Sequence, residues 1–408
     1  MFTSHASADL IDSRFAAWRL LTVLGLVTLG NSSMYAISVV LPAVQAEFGV
    51  SRADASMPYT LMMIGLGIGG LWTGKWADRY GITRVLWLGA AAVCAGFVLA
   101  GLSANIWWFG LANALLGLLG GSSTFAPLMA DTALWWSKRR GIAVAICACG
   151  NYVAGALWPP IAQWGIEHVG WRQTYFGMGL VCGAGMLLLS LRMRMRPPLV
   201  EVAPSHAHAA MAHPSQRPFG LSLNQAQILL CTAGVGCCVA MAMPQVHIVS
   251  YCADLGYGAA RGAQMLSLML ACGIVSRLVS GWICDHIGGV RTLLLGSALQ
   301  GLALLLFLPF DGLVPLYVIS AMFGLFQGGI VPSYAIIVRE HFPAQEVGAR
   351  VGSVIMATLL GMALGGWLSG KIFDLTGSYQ AAFINGLAWN LLNLSIASWI
   401  YLQIRKEK

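Results

Sequence analysis

The sequence predicts an all-α membrane protein of twelve transmembrane helices in two matching six-helix halves, and three observations predict it. Of the 408 residues, 58% are hydrophobic and 9% charged, against about a quarter charged in an ordinary soluble domain. Apolar segments of about 20 residues, each able to cross a ~30 Å hydrocarbon core, recur along the whole chain. The third is an internal repeat. "GKWADRYGITR", Gly74 to Arg84, and "GWICDHIGGVR", Gly281 to Arg291, both read G-x-x-x-D-x-x-G-x-x-R at an offset of 207 residues.

The predicted spans are 17–42, 55–75, 84–103, 106–134, 141–164, 173–193, 224–250, 262–283, 291–310, 313–338, 346–371 and 380–403. The leader before the first span is polar, carries Arg14 and Arg19, and has no short apolar run followed by a small-residue cleavage site; a cleaved signal peptide is not expected. With the N-terminus placed inside, the inner segments hold eighteen of the 23 basic residues, among them the run Lys138, Arg139 and Arg140. Arg52, Arg172, Arg261 and Lys371 fall on the other side. Positive charge stays on the cytoplasmic side, so both termini are expected in the cytoplasm, the membrane being a bacterial inner membrane. The net charge of +8 is then a topology signal facing lipid headgroups, and no basic surface interleaved with aromatics points to nucleic acid.

The one long polar stretch, 194–222, is rich in Pro, His, Ser and Ala and reads as a linker between an N-terminal bundle at 1–193 and a C-terminal bundle at 223–408. Its histidines, His206, His208 and His213, are read as polar residues rather than metal ligands. The ten cysteines lie in or near spans without zinc-site spacing and are read as small buried hydrophobes. No nucleotide loop, ligand set or nucleophile with a neighbouring base is present. An enzyme, a cofactor and a metal are therefore not expected, and a monomer is.

In the repeated motif, Gly74 and Gly281 at helix ends would let a neighbouring helix approach, and Gly81 and Gly288 would permit a tight turn. Asp78 with Arg79 or Arg84, and Asp285 with Arg291, would flank short loops as charged latches that hold in one conformation and break in another. The same offset relates Gly141 to Gly348. With twelve spans, a central linker and this motif in both halves, the chain resembles the major facilitator superfamily over its whole length. The resemblance implies two pseudo-symmetric six-helix bundles rocking about a site near the membrane midplane. It also implies that Asp131 joins the latch; plain solvation of a helix end is the other reading of that residue.

"WWSKRRGIAVAICACG", Trp135 to Gly150, resembles the signature entering the fifth helix of monocarboxylate transporters and their bacterial relatives, although the basic run also satisfies the topology rule. The first span, "LGLVTLGNSSMYAISVVLPAV", departs from that family in lacking its acidic, glycine-rich and aromatic signature. Within "SRLVSGWICDHIGGVR", Arg277 stands eight residues before Asp285, about 12 Å along a helix. A charge at that depth costs about 3 kcal/mol on insertion scales and faces a cavity or a partner. The stretch "MLSLMLACGIVSRLVSG" offers no acid, and Gly273 stands where animal monocarboxylate transporters have an aspartate.

The resemblance to monocarboxylate and oxalate transporters gives Arg277 the role of carboxylate receptor, for which a guanidinium fork is suited; snorkelling to the headgroups is the alternative. No second cation occupies the eleventh span, where Thr358 stands near the place of the oxalate exchangers' second charge, which suggests a single carboxylate. Asn151, Tyr152, Gln245, Gln327, Ser333 and Tyr334 are polar groups able to line the cavity or to bond between helices, and Phe125, Trp158 and Trp389 to wall it or to pack. His247, the one histidine placed inside a span, is a candidate for proton coupling. The function so implied is a secondary carrier moving a small monocarboxylate or related organic anion by proton symport or anion exchange. Because "GNYVAGALWPP" partly resembles a drug-antiporter motif, efflux of a hydrophobic or zwitterionic compound is the alternative.

Overall fold

A computed structural model describes residues 8–196, 218–343 and 345–406. Most of the predicted linker, its three histidines included, lies outside the described residues. Twelve helical rods are present among them, at the predicted places. They are α1 Arg14–Phe48, α2 Arg52–Tyr80, α3 Ile82–Gly101, α4 Ile106–Trp135, α5 Arg140–Val169, α6 Trp171–Met193, α7 Leu223–Asp254, α8 Ala259–Ile287, α9 Gly289–Leu306, α10 Leu313–His341, α11 Val347–Thr376 and α12 Tyr379–Lys406.

Ten rods carry a window apolar enough to cross a membrane. The other two, α2 and α12, are 29 and 28 residues long, but glycines and end charges dilute the first, and Asn, Gln and Ser the second. Large apolar side chains such as Trp108, Leu180, Leu188, Trp282 and Val314 are exposed, as expected where the solvent is lipid.

The duplication extends well beyond the motif. Both ends of α2 map onto both ends of α8 at an offset of 207 residues, Arg52 to Ala259 and Tyr80 to Ile287, and both ends of α5 map likewise onto α11. Positive-φ residues recur in register: Asp12 with Phe219, Gly49 with Gly256, Gly81 with Gly288, and Gly170 with Gly377. Gly81 and Gly288, at φ +86° and +82°, make the tight turns expected of the repeated motif.

Several rods are interrupted. A π-helical stretch, Leu116–Gly121, and a bend at Phe125 (φ −90°, ψ −77°) break α4, and the pair Gly328–Gly329 breaks α10. These breaks fall at corresponding positions of the repeat, Gly121 to Gly328. Backbone groups freed by such a break need other partners inside a membrane.

The described chain divides into two compact units, Met1–Glu201 with Val249–Leu270, and Val202–Ile248 with Ala271–Lys408. The end of α7 and the start of α8 thus group with the first unit. Within that unit, Arg52, 8% exposed, pairs with Asp254 at 3.1 Å, and the Ser267 hydroxyl donates to the Ala156 carbonyl.

Candidate functional site

In the second unit α8 presents Arg277 half-buried, with Val275, Leu278 and Val279 exposed around it and Ser276 turned inward. The Ser276 hydroxyl oxygen accepts a hydrogen bond from the Gly328 N–H at 3.0 Å. A Cβ at Gly328 would stand 2.8 Å from the Arg277 nitrogen, and one at Gly329 would stand 2.2 Å from the Ser280 Cβ. The glycine pair therefore lets the break in α10 lie directly on α8 at Arg277. A crevice of about 130 Å³ between α8, α9 and α10, bordered by Ser276, Ser280 and Gly329, does not include Arg277 in its wall and is mostly apolar.

Next to that break, Gln327, 1% exposed, accepts from the Gln245 amide of α7 at 3.0 Å, and its own Nε2 has no hydrogen-bond acceptor among the described residues. A buried donor left without an acceptor is costly. Tyr334 is placed differently. Its hydroxyl donates to Asn393 Oδ1 at 2.7 Å, and Asn393 donates to Ser297 at 2.8 Å, with Asn390 donating to Gln300 at 3.0 Å one turn away. All five are fully or almost fully buried, so Tyr334 belongs to a polar seam joining α9, α10 and α12. Thr358 and Ser333 bond carbonyls of their own helices, Ile355 and Gly329.

His247 is fully buried. Its Nε2 lies 2.8 Å from the Gly366 carbonyl oxygen and its Nδ1 3.4 Å from the Tyr379 hydroxyl. A carbonyl only accepts, so Nε2 carries a proton, and the Tyr379 hydroxyl can donate to Nδ1 or accept from it. In the first unit, Asn151 is half-buried with its Oδ1 unpartnered among the described residues. Tyr152 is buried, Phe125 is half-buried at the bend of α4, and Trp158 donates to the Thr28 carbonyl at 2.9 Å.

The charged latch is not assembled in this conformation. Asp78, Arg79, Arg84, Asp285 and Arg291 are exposed, and none joins an ion pair with a described residue. Arg79 and Arg291 lie instead against the rings of Tyr80 and Tyr401. A Cβ at Gly74 or Gly281 would meet nothing within 4 Å, so the close helix approach expected at these glycines is absent here. Asp131 points into the bundle rather than to the loop. Arg19 Nε and Nη2 grip both of its oxygens at 2.9–3.2 Å, and the guanidinium stacks 4.5 Å above the Trp135 ring.

By sequence alone Arg19 counts as a topology charge. The available signal was that a span with one arginine and another span with one aspartate can neutralise each other. A further contact escaped it. The Asp12 carboxylate of the leader accepts from the Ser137 N–H, the Ser137 hydroxyl and the Lys138 N–H at 3.1, 2.5 and 3.1 Å, strapping the leader onto the "WWSKRR" loop. Partial burial pushes its pKa up, but these hydrogen bonds outweigh burial and hold it below the ordinary 3.8.

The family model of the Major Facilitator Superfamily matches residues 21–319 and 228–408. Monocarboxylate transporter 13 of Bos taurus is 26% identical over 338 residues, covering 81% of this chain and 75% of the relative. The MFS-type transporter YcxA of Bacillus subtilis (strain 168) is 26% identical over 361 residues, 83% of each chain, and monocarboxylate transporter 11 of Homo sapiens is 28% identical over 328 residues, covering 76% of this chain and 66% of its own. A bacterial homolog of the human lysosomal transporter Spinster has the same fold at TM-score 0.70 and 14% identity, over 96% of this chain and 97% of that one. A peptide transporter POT complexed with alafosfalin does so at 0.71 and 15%, over 93% and 94%.

Proposed function

The chain belongs to the Major Facilitator Superfamily and is a multi-pass membrane transporter, and from that premise we propose that it carries a small monocarboxylate or related organic anion by alternating access. Arg277 is the observation that carries this reading. Its backbone sits about 12 Å along α8 from Asp285 and against the break of α10, and the residue is half-buried on a helix whose sequence has no acid but Asp285. A planar fork of donors matches the two oxygens of one carboxylate. The nearby Gln327 amide is a buried donor suited to a further oxygen of the substrate. The names of the curated relatives at 26–28% identity support the same substrate class.

In this reading, uptake is coupled to a proton or to exchange of a second anion, and the membrane is a bacterial inner membrane with both termini in the cytoplasm. The exposed, unpaired motif charges and the Arg52–Asp254 pair on the side opposite the termini support one state of a two-state cycle.

The test is uptake of radiolabelled acetate, lactate and pyruvate into proteoliposomes, comparing wild type with Arg277→Ala and Arg277→Lys. Loss of a bidentate charged contact worth about 3 kcal/mol predicts about a 100-fold fall in transport efficiency for the alanine variant. Arg277→Lys should be nearly as impaired, because an ammonium lacks the fork. Undiminished transport in Arg277→Ala would remove the arginine from the site and turn the search to neutral or cationic export substrates.

A further inference from the structure

Among the described residues Asp131 is the one acidic side chain that is buried, 7% exposed, and Arg19 beside it is 4% exposed. A buried ion pair of this kind is not required for packing: replacing such pairs by apolar groups is commonly neutral or stabilising. The protein contains that replacement in its own repeat. At the offset of 207 residues, Arg19 corresponds to Ala226 and Asp131 to Val338, both apolar and fully buried, while Trp135 corresponds to the equally enclosed Phe342. One half of the molecule therefore closes this position without charge. The other half keeps a charge pair there at the cost of desolvating both members.

The pair is also incompletely satisfied. Arg19 Nη1 and Trp135 Nε1 are buried without an acceptor among the described residues, and so is the Thr132 hydroxyl. Trp135 Nε1 points towards the Asp131 carboxylate and the Thr132 hydroxyl towards the Cys147 thiol, but neither reaches hydrogen-bond geometry. Arg19, Asp131, Thr132 and Trp135 line a narrow crevice too small to hold a water molecule in this conformation.

We propose that Asp131 carries the coupled proton of the transport cycle, with Arg19 as the fixed charge that favours its return to the carboxylate. This rests on the carrier reading above. A hydronium ion transfers its proton to an Asp131 oxygen, giving the carboxylic acid and water; Arg19 stays protonated, so the pair goes from neutral to singly positive. An uncompensated cation in a desolvated setting is strongly disfavoured, so the protonated pair is a high-energy state that gives its proton up again.

The groups facing Asp131 are few. Arg19 comes from α1, Cys147 from α5, and Thr132 and Trp135 from its own rod. The charges at the neighbouring ends of α2 and α3, Lys75, Asp78, Arg79 and Arg84, are exposed and form no ion pair with it. His247 is the other proton-bearing group inside a rod that the sequence pointed to.

The experiment compares wild type, Asp131→Asn and the double variant Arg19→Ala with Asp131→Val, which installs the repeat's own residues and is therefore expected to fold even where the single change does not. Each is reconstituted and assayed with radiolabelled acetate, lactate and pyruvate for exchange at equal pH and for net uptake under an acid-outside gradient. With one proton per monoanion, a gradient of one pH unit supports about tenfold accumulation. The wild type should accumulate and exchange; the double variant should exchange but show no accumulation, at an unchanged thermal midpoint. Accumulation by the double variant equal to wild type overturns the proposal, the more so if His247→Gln abolishes it. Exchange without accumulation in the wild type overturns it as well. Absence of all monocarboxylate transport in the wild type overturns the carrier reading beneath it.

Discussion

The two units treat an arginine at membrane depth in opposite ways. In the first, Arg19 is enclosed, gripped by Asp131 through three short contacts and stacked on Trp135. In the second, Arg277 is half-buried on a rod whose sequence offers no acid within two turns, beside a helix break held by Gly328. Neither residue has a charged counterpart in the repeat, where Ala226 and Gly70 stand. The difference teaches that depth alone does not assign a role to an intramembrane cation. A charge enclosed with an acid is an internal element whose state follows its partner's protonation; one half-buried at a helix break is suited to an anion arriving from outside.

Stability should separate the two most sharply. Arg19→Ala leaves the Asp131 carboxylate buried and uncompensated and is expected to cost about 3–5 kcal/mol. Arg277→Ala should cost under about 1 kcal/mol while lowering transport efficiency about 100-fold. Thermal unfolding in detergent beside uptake checks both, and equal destabilisation would make Arg277 a structural cation and end the contrast.

A smaller effect is expected from the helix breaks themselves. Gly328→Ala forces a methyl to 2.8 Å from the Arg277 nitrogen, a backbone atom that cannot swing away, at about 1–3 kcal/mol of overpacking. Its repeat counterpart, Gly121→Ala, meets the Leu66 methyl at 3.2 Å, an end that can yield, and should cost under about 1 kcal/mol. Transport should fall about tenfold in the first and hardly in the second.

Tyr334→Phe removes a donor from the seam and leaves Asn393 Oδ1 short of a partner, at about 1–2 kcal/mol with an unchanged KM. A KM raised about tenfold would instead place the hydroxyl on the substrate. The smallest change belongs to the leader. Asp12→Ala should lower the unfolding midpoint by about 2 °C. Its carboxyl titrates below the ordinary 3.8, so it contributes fully above that value and loses its contribution as pH falls through the lower folded value. The gap between variant and wild type should thus be constant at neutral pH and close in strong acid.

Much of the architecture was legible beforehand because it depends on local pattern. Each rod is an apolar run, each turn glycine at Gly81 and Gly288 sits where φ is positive, and the repeat is visible as a fixed spacing. Arg277 was legible for a related reason: a charge inside an apolar run is conspicuous wherever the chain goes afterwards. What escaped was partnership. Arg19 and Asp131 are 112 residues apart, and the sequence assigned the first to topology and the second to a loop latch. For Tyr334 the sequence leaves both cavity lining and an interhelical bond open, and it does not point to Asn393, 59 residues further on, as the hydroxyl's partner. Gln245 and Gln327 were each named, but their contact, and the donor it leaves over on Gln327, follows from how α7 and α10 pack.

The sequence by itself determined the fold class, the twelve spans, their duplication and the arginine set apart on α8, because hydropathy, periodicity and backbone freedom are properties of short stretches in a uniform solvent. Only the tertiary structure decided which charges are spent on one another. Pairing depends on helix faces meeting at a given depth and rotation, and nothing in the local pattern of α1 or α4 specifies that Arg19 will stand opposite Asp131 rather than a loop, or that Gly328 will bring a broken helix against Arg277.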